Sequence, residues 1–282
     1  MSLAFKPRLF LRPKSETELE KYLLEFQERG RIIAGGTGIY EIAHRGLLQE
    51  LEALIDISSL GLSYVKKSHD SILVGATTTM SFLSHSQEIA STQSIAAILD
   101  ALRAIQPLQV KNVGTIAGSI CTALPFFDLP IALAALDARV ILGPKGKEIS
   151  LDDFVKGYFE IDLALGEFVR EVKIPLSKSS SAFQKFAITH DDWAIVNCAA
   201  QISSESLRIF FGGVGEKGTR ATCVEKALEG KELREDIVKN AFDSELEKDL
   251  SPASDIRASS KYRLQIAKVI GRRTLLEAVR RK

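Results

Sequence analysis

The run Val110 to Asp128 reads Val-Lys-Asn-Val-Gly-Thr-Ile-Ala-Gly-Ser-Ile-Cys-Thr-Ala-Leu-Pro-Phe-Phe-Asp, and it constrains the fold more than any other part of the chain. It brings Gly114 and Gly118 together with the hydroxyls of Thr115, Ser119 and Thr122 and carries no charge between Lys111 and Asp128. Glycine lets backbone lie close to a neighbour, and successive amides with hydroxyls make anion-holding concavities. Ile32-Ile33-Ala34-Gly35-Gly36-Thr37-Gly38 has the same character, and Gly75-Ala76-Thr77-Thr78-Thr79 has it again. One such loop is an ordinary tight turn. Three, each expected to leave a strand, point to several edges of one site for a large anionic ligand.

Charge and composition narrow the class. The 37 basic and 36 acidic residues leave a net charge of +1, so no field of one sign gathers nucleic acid or an anionic membrane. The basic close of the chain, Arg272, Arg273, Arg280, Arg281 and Lys282, is expected at the end of a helix, where cations suit the helix dipole. The first residues form no apolar signal core, and the longest apolar stretch, Ile131 to Leu142, is interrupted by Asp137 and Arg139, so neither export nor membrane insertion is expected. Cys121, Cys198 and Cys223 form no Cys-x-x-Cys pair, which gives no disulfide framework, zinc site or cluster site and fits a cytoplasmic setting.

Periodicity gives the elements. Ser15 and Glu18 predict a capping box ahead of a helix whose Leu19, Leu23 and Phe26 share a face until Gly30. Arg31 to Ala34 and Leu54 to Ile57 read as strands of a β-α-β unit. Ser63 to Val65 and Ser71 to Val74 read as a strand pair, and Met80 to Ala90 and Ser94 to Ile105 as helices ended by Pro107. Leu129 to Leu136 is an apolar helix, Arg139 to Leu142 with Lys147 to Leu151 a hairpin, Asp152 the start of a short helix, and Phe168 to Ile174 a strand closed by Pro175. A division is expected before the serine-rich Ser177 to Ser181. Beyond it come three strands, Ala182 to Ile188, Ala194 to Ile202 and Leu207 to Phe211, and then helices, which is an α+β arrangement.

Several chemistries are poorly supported. Gly213-x-Gly215-x-x-Gly218 matches a dinucleotide fingerprint between a strand and an expected helix, but no second strand ending in an acid follows, so a plain turn is favoured. There is no P-loop and no nucleophile elbow, and His44, His69, His85 and His190 are scattered.

Taken together, Ala34-Gly35-Gly36-Thr37, Gly75-Ala76-Thr77-Thr78, Asn112-x-Gly114-Thr115-Ile116-Ala117-Gly118, Ala123-x-Pro125-x-x-Asp128 and Asp255-Ile256-Arg257-Ala258-Ser259-x-x-Tyr262-Arg263 stand in the order found in the FAD-binding medium subunits of molybdenum hydroxylases. The chain resembles that family over nearly its whole length. The resemblance implies a two-subdomain FAD-binding domain of the vanillyl-alcohol oxidase/MurB-like, PCMH type over residues 1–175 (subdomains about 1–58 and 59–175). A C-terminal domain of antiparallel sheet and helical bundle would then cover 176–282. It implies that Ile33, Ala34, Gly35, Gly36, Thr37, Gly38 and Ile39, with Thr115, Ala117, Gly118 and Ser119, wrap a pyrophosphate. Ile105 and Gln106 would lie near the adenine, and Cys121, Thr122 and Asp128 along the ribityl and flavin side. Phe168 or Val169, and Lys185 with Asp191, would approach the isoalloxazine.

Some positions depart from the family pattern. Gly38 replaces a polar or acidic residue, and Ser119 replaces asparagine while keeping a hydrogen-bonding side chain. Thr37 stands where covalently flavinylated relatives carry histidine, so the FAD is expected to be non-covalent. Ile188-Thr189-His190 lacks the usual arginines, and Trp193 replaces an aliphatic residue, either as a hydrophobic plug or as a shield stacked on the flavin.

The function implied is an electron-transfer flavoprotein subunit with no catalytic side chain of its own. It would take electrons from iron–sulfur clusters on a small partner subunit and pass them to NAD+ or another acceptor, with the molybdenum cofactor on a large molybdopterin subunit. Two other readings stand beside it: a self-contained FAD-dependent oxidase or dehydrogenase, and a flavin-free scaffold subunit.

Overall fold

The computed structural model describes residues 7–48 and 50–282. The chain begins with a three-stranded sheet. Strand β1 (Leu9–Leu11) leads into helix α1 (Glu16–Phe26), β2 (Gly30–Ile33), α2 (Thr37–His44) and β3 (Ala53–Asp56). All pairing is parallel in the order β1-β3-β2, with Leu9 opposite Ala53 and Ile33 opposite Asp56. The predicted β-α-β unit is therefore present with one strand more, since a three-residue strand is too short to show a period. Ser15 Oγ accepts the Glu18 N–H at 3.2 Å, and the Glu18 carboxylate takes the N–H of Lys14 at 2.7 Å, one residue earlier than a standard capping box.

The second layer is a five-stranded antiparallel sheet with helices. It runs through β4 (Val65–Lys67), β5 (Ser71–Gly75), α3 (Met80–His85), α4 (Gln87–Ala90), α5 (Ala96–Ala104), α6 (Leu108–Val113), α7 (Ile116–Cys121) and α8 (Asp128–Ala135). It continues with β6 (Arg139–Gly143), β7 (Lys147–Ser150), α9 (Leu151–Phe154), β8 (Val155–Gly157), β9 (Glu160–Ile161) and β10 (Phe168–Pro175). The sheet order is β4-β5-β10-β6-β7, and β8 and β9 form a separate ribbon. Helix α8 is apolar on every side and buried along almost its whole length, as a helix surrounded by other layers must be. The glycine-rich run opened above is not the loop expected after a strand: it is two short helices, α6 and α7, meeting at Gly114 and Thr115.

The C-terminal half is an antiparallel sheet of β11 (Ser180–Phe186), β12 (Val196–Ile202), β13 (Leu207–Gly212) and β14 (Thr219–Arg220), followed by α10 (Thr222–Leu228), α11 (Glu235–Asp249) and α12 (Ser260–Arg280). The α+β arrangement is as expected. Gly213-x-Gly215-x-x-Gly218 forms the turn between β13 and β14, so the helix expected after it is a strand and the fingerprint is a hairpin turn. The largest core holds Ile72, Val140, Leu133 and Val172 of the N-terminal half in one cluster with Phe183, Ala199 and Phe210 of β11 to β13. A second core, built on Phe211, Phe242 and Leu275, lies between the C-terminal sheet and its helices.

Candidate functional site

A cleft of about 800 Å³ runs between the parallel sheet's C-terminal edge and helix α7. Ile33, Ala34, Gly35, Gly36, Thr37, Gly38 and Ile39 line one wall. Thr115, Ala117, Gly118, Cys121 and Thr122 line the other, and Val169, Phe159, Ile161 and Leu163 close it. Most of the predicted site residues therefore converge here. The sequence did not reveal the rim supplied by Leu47, Leu48, Glu50 and Leu51, or by Phe159, Ile161, Leu163 and Leu165, which carry no glycine or hydroxyl pattern.

The turn between β2 and α2 is shaped for an anion. Gly36 has φ +77°, a left-handed conformation that side chains strain, and a Cβ on Gly35 would sit 1.7 Å from the Val113 carbonyl oxygen. Among the described residues, the amides of Gly35, Gly36, Thr37, Gly38 and Ile39 donate to no protein acceptor; the first bond of the turn is Tyr40 N–H to Gly36 O at 2.9 Å. Five free amides at a left-handed turn and a helix start form a concavity of positive potential.

The opposite wall differs. Thr115 Oγ1 caps α7 by accepting the Gly118 N–H at 3.1 Å, while Ile116 N–H donates to Thr78 O at 3.0 Å and Ala117 N–H to Ala76 O at 3.3 Å. Thr78, fully buried, in turn accepts the Tyr64 N–H and donates to the Tyr64 carbonyl, both at 3.0 Å. The third loop, Gly75 to Thr79, is thus a structural strap that serves α7, and only its Ala76 reaches the cleft. Below α7, Thr122 Oγ1 donates to Gly118 O at 2.7 Å, and burial pushes the Cys121 thiol up to about 12, keeping it protonated and inert at neutral pH.

The remaining expected residues lie outside this lining. Ser119 is turned inward and donates to Ile116 O at 2.8 Å, and Ile105 packs against the main core. Gln106 contacts Arg103 O, and Phe168 is fully buried with Leu19 and Ile55 while its neighbour Val169 faces the cleft. Asp128 and Lys185 meet behind α7. The Lys185 ammonium donates to Asp128 Oδ2 at 3.0 Å and to Ala104 O at 3.2 Å, and Asn197 Nδ2 donates to Asp128 Oδ1 at 2.7 Å. Burial pushes the Asp128 carboxyl upward, and the Lys185 ammonium and Asn197 amide oppose it. Asp191 is exposed beside His190 and does not join Lys185.

Trp193 takes neither a core position nor a place in the cleft lining. It is 40% exposed and stacks on Phe126 at 5.0 Å, and the Arg257 guanidinium covers Phe126 at 5.1 Å. This gives Arg257 a contact that its motif alone did not reveal. The motif's other charges are internal: Asp255 pairs with Arg263 at 2.7 Å, and Arg263 Nη1 holds Ile195 O at 2.6 Å. Among the described residues no cluster of three metal-ligating side chains occurs, and no helix is long and apolar enough to cross a membrane.

A turn of free amides facing a capped helix across a long cleft is suited to a large ligand that carries phosphate groups. The chain belongs to the FAD-binding family of molybdopterin dehydrogenases: residues 3–177 match the FAD binding domain in molybdopterin dehydrogenase, and residues 181–278 match the CO dehydrogenase flavoprotein C-terminal domain. It is 32% identical over 270 residues to the glyceraldehyde dehydrogenase medium chain of Sulfolobus acidocaldarius, covering 93% of this chain and 94% of that one. It is 26% identical to the carbon monoxide dehydrogenase medium chain of Hydrogenophaga pseudoflava, covering 93% and 94%. Among solved structures, Cu,Mo-CO dehydrogenase superposes with a TM-score of 0.90 at 26% identity, covering 99% of this chain and 100% of that one. Quinoline 2-oxidoreductase from Pseudomonas putida 86 gives 0.90 at 28% identity, covering 98% of each. The protein is an FAD-binding medium subunit of the molybdenum hydroxylase family, an oxidoreductase subunit. Its cleft fits the cofactor: the free amides match a pyrophosphate, and any side chain at position 35 would collide with the backbone of the opposite wall.

Proposed function

We propose that this subunit relays electrons, with FAD held non-covalently in the cleft and its pyrophosphate on the amides of Gly35 to Ile39. The row of amides without acceptors is the observation that carries this reading. Bound FAD supplies one- and two-electron redox chemistry, and the chain binds it, orients it and shields it from water. Thr115, Ala117 and Gly118 form the facing wall, and Cys121, Thr122 and Val169 lie further along it. Residues 1–175 hold the cofactor, as subdomains of about 1–58 and 59–175, and residues 176–282 form the C-terminal α+β domain.

The electrons come from iron–sulfur clusters of a small partner subunit, the molybdenum cofactor belongs to a large molybdopterin subunit, and NAD+ or another acceptor takes the electrons onward. Its relatives include medium chains and a subunit of a dehydrogenase complex, which supports such an assembly. Three free cysteines agree with a reducing cytoplasm.

Mixing the FAD-loaded chain anaerobically with its reduced iron–sulfur partner should bleach the flavin absorption. A fully loaded flavin that stays oxidised would rule out the relay while leaving FAD binding intact. Turnover of a small substrate by the isolated chain would favour the self-contained enzyme instead.

A further inference from the structure

A second concavity, of about 410 Å³, lies on the far side of the C-terminal sheet, between α12, β11 and the start of α11. On a helix with 3.6 residues per turn, Arg272, Arg273, Leu276, Glu277 and Arg280 share one face, and that face lines the concavity with Gln184 and Glu235. β11 alternates, so Gln184 points here while Lys185 points to Asp128 on the other side. This site is thus separate from the flavin cleft.

Its lining is rich in charge, setting Arg272, Arg273 and Arg280 against Glu235 and Glu277. The protein as a whole nearly balances 37 cations against 36 anions. Yet among the described residues Arg272 and Arg273 have no carboxylate within ion-pair distance, and Arg280 has only Glu277 at 3.7 Å, which Arg281 also holds at 3.1 Å. Arg272 and Arg273 are adjacent and Arg280 stands two turns on, so their guanidinium groups reach the hollow from one helix face and leave hydrogen-bond donors free to meet an anion. Guanidinium forks match phosphate oxygens in paired hydrogen bonds, and Gln184 can add a neutral donor. The Leu276 side chain gives an apolar floor, and the volume lies in the range of small-ligand pockets.

We propose that Arg272, Arg273 and Arg280, with Gln184, form a binding site for a small multiply charged oxyanion, a pyrophosphate or phosphate-ester group, distinct from the flavin cleft. A concave pocket suits a compact anion better than an extended acidic segment, which needs a groove.

The test is calorimetric titration of inorganic pyrophosphate into the FAD-loaded full chain at constant ionic strength. Wild type should bind at one site. Combining Arg272→Met with Arg273→Met should weaken binding about tenfold or more, as loss of charged hydrogen bonds does. Glu235→Gln should strengthen it by about threefold by removing a repelling charge. None of these side chains is needed by the core, so melting without pyrophosphate should stay near wild type. No binding by wild type, equal affinity in the variants, or equal displacement by acetate at the same ionic strength would overturn the proposal.

Discussion

The two glycine-threonine turns of the cleft look alike in sequence and differ in what their backbones do. At Gly35 to Ile39 no amide has a partner among the described residues, whereas at Ile116 to Gly118 each is taken by Thr78, Ala76 or Thr115. The first turn is an open anion holder held in shape by a left-handed glycine; the second is a finished helix start whose surface, not its amides, faces the cleft. Glycine and threonine fix where the backbone can go, and the surrounding hydrogen bonds decide whether it is free to bind.

Substitutions can break this contrast. Gly35→Val, which drives a side chain into the Val113 carbonyl, should raise the FAD dissociation constant by about 100-fold, since overpacking costs about 3 kcal/mol; flavin fluorescence titration measures it. Near-normal binding would mean that the open turn is not the phosphate site. Gly118→Leu fills the cleft from the capped side and should cost about tenfold or more in FAD affinity, with circular dichroism showing the C-terminal half still folded. Thr78→Val removes both bonds to Tyr64 and should lower stability by about 1–2 kcal/mol in urea while leaving FAD affinity within a few-fold. A large affinity loss there would show that the strap does more than serve α7.

Two smaller effects sharpen the comparison. Thr115→Ala deletes the α7 cap and should cost about 1 kcal/mol of stability. Beneath the open turn, burial would raise the Asp56 carboxyl, but the Ser58 N–H at 2.9 Å and Arg12 at 3.0 Å outweigh it and hold it below its ordinary range. A depressed carboxylate stabilises above its unfolded pKa, so the contribution of Asp56 should be complete above about pH 4 and fade as pH falls through the lower folded value. Asp56→Asn should therefore lower the urea midpoint at pH 7 more than at pH 3.

Local signals were legible where they were self-contained. The Ser15 cap, the Asp128 to Ala135 helix, the Arg139 to Ser150 hairpin and the three strands from Ser180 to Gly212 follow from capping, apolar runs and alternation. Helices α6 and α7 were hidden because glycine, threonine and β-branched residues disfavour helix locally, and packing against α3, α8 and the sheet overrides that preference. The convergence of Gly35, Thr115 and Val169 followed from the resemblance rather than from any one spacing. Non-local facts stayed out of reach. Nothing in the sequence says that Thr78 serves α7, that Phe168 turns inward while Val169 lines the cleft, or that Lys185 meets Asp128 and leaves Asp191 in solvent.

The main core joins side chains from both halves of the chain, and this bears on how the molecule comes apart. Layers that share one set of buried contacts cannot separate without opening those contacts to water, so loss of order in one half should loosen the junction with the other. The only tryptophan, Trp193, sits on the C-terminal side of that junction and stacks on Phe126 of the other side, which makes it a built-in optical probe. Its fluorescence change in a denaturant titration should then report the opening of that junction.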